Sequence, residues 1–197
     1  MKIYCYKDGK ITTSYKAFVS VYDIGILRGY AIYEGITAFG KQAFYLKEHL
    51  ERFRKSAKEL ELKIPISDNK IKNIINTLIQ KNSFERTNLR IILSGGNTLE
   101  GINYNPNDST FFILAEKWTP LPKKLYEKGA KLITENYLRF MPSIKTTHYI
   151  TAVKLQPKRK KENAVDVFPL SQFRKNIFMK HSYGTSKKFH SFFGSPK

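Results

Sequence analysis

A chain of 197 residues, 41% apolar and 14% aromatic, is long enough and apolar enough to bury a core, which argues against intrinsic disorder. The single Cys5 excludes a disulfide framework and a cysteine-cluster metal site within one chain, and four histidines without HxxxH or HExxH spacing argue against a zinc enzyme. The formal charge of +19 invites a nucleic-acid reading, with PKRKK (157–161) and the C-terminal tail as its carriers. The distribution of that charge weighs against it. Residues 154–197 hold eleven Lys/Arg with only Glu162 and Asp166, whereas elsewhere bases and acids are mixed, as on the solvated face of a helix. No apolar run reaches a membrane span, and MKIYCYKDGK lacks the apolar core of a signal peptide, so a cytoplasmic protein is expected.

In chain order, MKIYCYK and KITTSY flank Asp8-Gly9, a two-residue hairpin signal. AIYEGITAF, Gly40-Lys41 and QAFYL repeat the strand–turn–strand pattern. Leu46, Leu50, Phe53, Ala57 and Leu60 fall on one face of a helix that Ile64-Pro65 ends. A second helix follows Asp68, read as its N-cap, with Ile71, Ile74, Ile75, Leu78 and Ile79 on its buried side. LRIIL (89–93) is a strand running into Ser94-Gly95-Gly96, and TFFILA (110–115) is apolar enough to lie inside a sheet.

Two prolines make 118–122 the best linker, separating a small α/β domain (1–117) from a second domain (123–197). In the second domain AKLIT reads as a strand, 145–156 as a helix stopped or kinked at Pro157, and AVDVF (164–168) as another strand. From about residue 168 the chain has no sustained periodicity, six Lys/Arg and no acid, and too few elements remain to cover a second sheet. The layout is α+β, with an incomplete second domain.

Among residues suited to chemistry, Lys145 lies in PSIKTTHY between Phe140, Met141, Ile144, Tyr149 and Ile150. Desolvation by such neighbours turns a lysine into a nucleophile; on composition alone it is one surface lysine among many. Arg52, with His49 one turn earlier, has the fork to clamp a phosphate, or else pairs with Glu48 or Glu51 on its own helix. SGGNTLEG has the glycines of an anion loop without the spacing of a known phosphate motif. Tyr30, Tyr33 and Glu34 face either a ligand or the packed sheet.

Taken together these segments resemble the class IV (fold-type IV) aminotransferases, a pyridoxal-phosphate family that includes branched-chain and D-amino-acid enzymes. YDIGILRGYAIYEGI is similar to the pattern D-x-G-x-x-x-G-x-x-x-[FY]-E through Asp23, Gly25, Gly29, Tyr33 and Glu34. HLERFRKSA is similar to H-x-x-R-[FL]-x-x-S-A through His49, Arg52, Phe53, Ser56 and Ala57. NLRIILSGG and SIKTTHY resemble the following strand and the cofactor-lysine segment, in the same order. The resemblance implies a small α/β domain followed by a larger one, with pyridoxal 5'-phosphate held covalently by Lys145. Arg52 would bind its phosphate and Tyr149 would lie on the cofactor side, while Tyr33, Arg90, Thr37 and Gly95 would stand at the substrate pocket. The reaction implied is transfer of an amino group between an amino acid and a 2-oxo acid, in a homodimer.

Three departures qualify what the resemblance implies. Branched-chain enzymes place an arginine where this chain has Thr37, and D-amino-acid enzymes place one where it has Gly95. Carboxylate recognition then rests on Arg90, which the branched-chain pattern shares, so branched-chain substrates are favoured, with D-amino-acid transfer and aminodeoxychorismate lyase as alternatives. Third, LSQFRKNIF matches S-E-x-x-x-x-N-[IL]-F at Asn176, Ile177 and Phe178 but puts Ser171 where a glutamate should pair with the pyridine nitrogen. A truncated or disrupted gene product, inactive or nearly so, is the expectation that follows; a basic nucleic-acid-binding protein is the rival from composition.

Overall fold

The computed structural model describes residues 2–169. Ser171, Asn176, Ile177, Phe178 and the basic tail therefore lie outside the described residues. The chain divides into two units, the first running to Thr119 and including Ile144–His148, the second made of Pro120–Ser143 and the chain from Tyr149 onward.

In the first unit, β1 (Tyr4–Lys7) and β2 (Lys10–Thr13) form the expected hairpin. Asp8 (φ 50°) and Gly9 (φ 79°) both adopt the positive φ that a two-residue type I′ turn requires. The five-residue helix α1 (Ile24–Arg28) follows, and the glycine motif explains its limits. The Asp23 carboxylate accepts from the Gly25 N–H at 2.7 Å as the N-cap, and Gly29 closes the helix in the left-handed conformation at φ 70°. β3 (Ala31–Phe39) then turns at Gly40-Lys41 into β4, which is reduced to Gln42–Ala43.

Helix α2 (Leu46–Glu59) buries Leu50, Phe53, Ser56 and Ala57, and α3 (Asp68–Asn82) buries Ile71, Ile74, Ile75, Leu78 and Ile79. The N-cap of α3 is Ser67 rather than Asp68: Ser67 has the extended backbone of a cap and its hydroxyl accepts from the Lys70 N–H, which leaves Asp68 as the first helical residue. β5 (Arg86–Ser94), the short hairpin β6 (Thr98–Glu100) with β7 (Asn103–Tyr104), and β8 (Thr110–Lys117) complete the unit. The main sheet is antiparallel throughout, in the order β2-β1-β8-β5-β3-β4.

Strand alternation divides that sheet into two faces. One face, carrying Ile32, Glu34, Ile36, Leu89, Ile91, Leu93, Phe111 and Ile113, is buried beneath α2 and α3. Each large aliphatic chain removed from water there contributes about 1.5–3 kcal/mol, so the core lies between this face and the helices. The other face carries Tyr33, Gly35 and Thr37 of β3 opposite Ile92, Arg90 and Asn88 of β5, and these positions are half-buried or exposed.

β5 pairs with the whole length of β3 on one edge, but β4 covers only Ala38 and Phe39 on the other. The remaining edge is taken by Ile144–His148. Tyr33 N–H donates to the Lys145 carbonyl at 2.9 Å, Thr147 N–H donates to the Ala31 carbonyl at 3.0 Å, and Ile32 bridges Thr146. The segment carrying Lys145 therefore packs in the first unit and is extended rather than helical; the helix begins only at Ile150. A run with β-branched Ile144, Thr146 and Thr147 satisfies its backbone groups best at an open strand edge.

In the second unit, α4 (Lys123–Lys128) precedes β9 (Leu132–Glu135), α5 (Ile150–Lys154), α6 (Gln156–Lys161) and β10 (Asp166–Pro169), with β9 and β10 paired in parallel. The helix breaks just before Pro157: α5 ends at Lys154, and Pro157 occupies the first turn of α6, where its missing N–H costs nothing. The basic run is partly engaged internally. Arg159 donates to Gln156 Oε1 at 2.7 Å and to the Ala164 and Val165 carbonyls at 2.9 and 3.2 Å, and Lys158 pairs with Glu135 at 2.6 Å. Among the described residues no helix is long and apolar enough to cross a membrane.

Candidate active site

Glu34 organises the polar centre of the first unit. It lies on the helix-facing side of β3 and is fully buried, and its carboxylate accepts four hydrogen bonds. Arg52 Nε and Nη2 reach Oε2 and Oε1 at 2.8 and 2.6 Å, His49 Nδ1 lies 3.0 Å from Oε1, and the Gly35 N–H donates to Oε1 at 3.0 Å. Burial by itself would raise the Glu34 carboxyl, but the hydrogen bonds from Arg52 and His49, with the charges of Arg52 and Lys145, hold it at about 2. The same contact, chiefly the Glu34 hydrogen bond, raises the Arg52 guanidinium further. An ionised Glu34 makes His49 Nδ1 the protonated nitrogen, so the 3.2 Å approach of Arg52 Nη2 to that nitrogen brings two donors together and is not a hydrogen bond. Helical spacing places His49 and Arg52 one turn apart on α2, both facing β3.

Lys145 stands at the edge of the same strand. Its Nζ lies 4.9 Å from the centroid of the Tyr33 ring, a cation–π distance, and its backbone N–H donates to Ser56 Oγ at 3.4 Å. Ser56 is one turn beyond Arg52 on α2 and is 2% exposed. One helix therefore touches the lysine segment through Ser56 and holds the arginine of the Glu34 cluster.

The structure brings Lys145, Tyr33 and Arg52 together around β3, and Arg90 and Thr37 share the open face of the sheet with Tyr33. Arg90 lies opposite Gly35 on the open face of the sheet and pairs with Glu116. Thr37 is on that face too, two residues beyond Gly35. Gly95 belongs to the Ser94–Gly96 loop, where an added Cβ would stand 2.8 Å from Ile24 Cγ2 and 3.1 Å from the Tyr104 ring. Ser94 Oγ ties that loop to the Asp23 carboxylate at 2.7 and 2.8 Å. Tyr149 belongs to the second unit, with the Arg139 guanidinium 5.9 Å from its ring. Among the described residues no three His, Cys, Asp or Glu side chains gather to hold a metal ion.

The sequence offered Glu34 as a residue facing either a ligand or the packed sheet and did not pair it with Arg52, and it gave His49 and Ser56 no role beyond membership of the motifs. A signal for that pairing was nonetheless present: an acid on a buried strand position needs a cation, and the arginine on α2 supplies one.

This chain, with its six-stranded antiparallel sheet backed by two helices and the lysine segment at the edge of β3, superposes on fold-type IV aminotransferases and shares their fold. The sequence pattern of amino-transferase class IV matches residues 31–173, and the chain belongs to that family. A Methanocaldococcus jannaschii protein provisionally named a branched-chain-amino-acid aminotransferase is 31% identical over 161 residues, 78% of this chain and 54% of its own length. A D-alanine aminotransferase of Listeria monocytogenes is 23% identical over 154 residues, 76% of this chain and 53% of its own. Among solved structures, a T.th. branched-chain amino acid aminotransferase with pyridoxamine 5'-phosphate superposes with a TM-score of 0.76 at 26% identity, over 86% of this chain and 60% of that one. The chain thus spans about half the length of these two curated relatives.

Proposed function

We propose that this chain serves pyridoxal-phosphate-dependent amino transfer between a branched-chain amino acid and a 2-oxo acid. The observation that carries the reading is the grouping of a primary amine, an aromatic ring and a half-exposed arginine at one edge of β3: Lys145 Nζ is 4.9 Å from the Tyr33 ring centroid, and Arg52 is fixed on the neighbouring Glu34. This donor set fits the cofactor, offering an amine for its aldehyde and a guanidinium for its phosphate. When bound, pyridoxal phosphate supplies the electron sink that makes the substrate Cα–H acidic. Lys145 Nζ would hold it, and the same amine would be the group that moves the substrate Cα proton. Arg52 would bind the phosphate, Tyr149 would serve the cofactor, and Tyr33, Thr37, Gly95 and Arg90 would border the substrate, with Arg90 receiving its carboxylate. A homodimer in the cytoplasm completes the reading. The run of exposed apolar side chains at Tyr15, Phe18, Val21, Tyr22 and Ile26 supports such a contact, because a patch of this kind marks an interaction surface.

The tight surroundings of Gly95 support branched-chain over D-amino-acid specificity. An arginine there would drive its Cβ against Ile24, which is 3% exposed and has no room to yield. A chain loaded with pyridoxal phosphate is expected to change its absorbance on addition of a branched-chain L-amino acid and to recover on addition of a 2-oxo acid. A change with D-alanine alone would overturn the substrate class, and no change with either would overturn the activity.

A further inference from the structure

Both oxygens of the buried Glu34 carboxylate are held by protein donors, and that decides what this residue can do. Four hydrogen bonds, from Arg52 Nη2, His49 Nδ1 and the Gly35 N–H to Oε1 and from Arg52 Nε to Oε2, fix Glu34 in one orientation inside the protein. Its partner is in the opposite condition. The Arg52 side chain is 45% exposed, and among the described residues its Nη1 makes no hydrogen bond. One edge of the guanidinium is locked onto Glu34, and the half-exposed side chain leaves Nη1 outside that grip. Arginine is a long side chain with many rotamers, and fixing it before a ligand arrives lowers what binding must overcome.

We propose that Glu34 is a positioning residue for anion binding: it grips Arg52 by its Nε–Nη2 edge and so presents the Nη1 edge to the cofactor phosphate in a single orientation. The proposal rests on the reading that Arg52 binds that phosphate. It makes a prediction whose sign is opposite to simple electrostatics. A carboxylate beside Arg52 partly cancels its charge, so by Coulomb's law alone removal of Glu34 should strengthen phosphate binding. Positioning requires that removal weaken it.

The test compares pyridoxal phosphate with pyridoxal, which lacks the phosphate, by absorbance titration of the full chain and of Glu34→Gln and Glu34→Asp. Glutamine keeps the shape and removes the charge; aspartate keeps the charge but is too short to hold the fork. The ratio of the two Kd values isolates the phosphate contribution. In both variants the preference for the phosphorylated ligand is expected to fall about tenfold, the scale of one charge-assisted fork lost, while the Kd for pyridoxal stays unchanged. In the Arg52→Lys background, Glu34→Gln should cause no further fall. A preference that is unchanged or strengthened in Glu34→Gln, equal weakening of both ligands, or additive losses in the double variant would each overturn the proposal. If Glu34→Gln does not fold, Glu34→Asp decides by the same ratio. An unmutated chain that shows no preference for pyridoxal phosphate over pyridoxal would instead overturn the assignment of Arg52 to the phosphate, and the proposal with it.

Discussion

Arg52→Ala is expected to destabilise the folded chain by about 2–3 kcal/mol at neutral pH, because it strands the buried carboxylate of Glu34. Breaking a fully buried pair costs more, but Arg52 is 45% exposed and water reaches the space it leaves. The pH dependence distinguishes this cause from lost packing. Glu34 titrates at about 2 in the folded chain against an ordinary 4.5. Its share of the stability is therefore complete above about 4.5 and disappears as the pH falls towards 2. In Arg52→Ala, burial is no longer offset by the guanidinium and the carboxyl moves upward, so the variant is relieved as Glu34 takes a proton. The difference in stability between the two proteins is expected to shrink steadily from about pH 5 to pH 2.5, as read by urea unfolding at each pH. A difference that is constant across that range would place the loss in packing instead.

Gly96→Ala has an equally large expected effect for a different reason. Gly96 has φ 78°, and a Cβ there would stand 1.7 Å from the Asp108 carbonyl oxygen, a backbone atom that no rotamer change can move aside. The left-handed backbone costs about 1–2 kcal/mol for a residue with a side chain, and forcing the two loops apart adds about 1–3 kcal/mol. The loop that would move is the one that Ser94 and Asp23 anchor to α1, where the Gly96 carbonyl accepts from the Ile24 N–H at 2.9 Å. Gly101 provides the control: its φ is 60°, but an added Cβ meets nothing within 4 Å. Thermal unfolding is expected to show a loss of about 3 kcal/mol for Gly96→Ala and about 1 kcal/mol for Gly101→Ala. Equal losses would mean that the contact with Asp108 carries no weight.

These two sites show which parts of the molecule the sequence made legible. Local geometry was readable. Asp8-Gly9 announces a turn because both residues tolerate positive φ, and the buried faces of α2 and α3 follow from apolar spacing alone. The reading of 145–156 as one helix failed because the pattern of those residues is compatible with a helix, while the open edge of β3 offered the first few of them better backbone partners. Neither the shortness of β4 nor the edge it leaves is visible locally. The partner of Arg52 was hidden for the same reason. Glu48 and Glu51 are its neighbours in sequence, yet the acid that binds it is Glu34, 18 positions away on another element and driven inward by strand alternation. Lys145, Arg52, Tyr33 and Glu34 could be named from motif resemblance, whereas the pairing of Glu34 with Arg52 needed the fold.

The account turns on Lys145 as the lysine that holds the cofactor, and borohydride reduction in the presence of pyridoxal phosphate tests that most directly. After proteolysis the expected result is one dominant pyridoxyl-labelled peptide, containing Lys145, whose label is lost in Lys145→Ala. The chain offers many competing exposed lysines, since Lys and Arg together number 35, so selectivity is the informative quantity. Label spread across surface lysines, and equal in Lys145→Ala, would contradict the account.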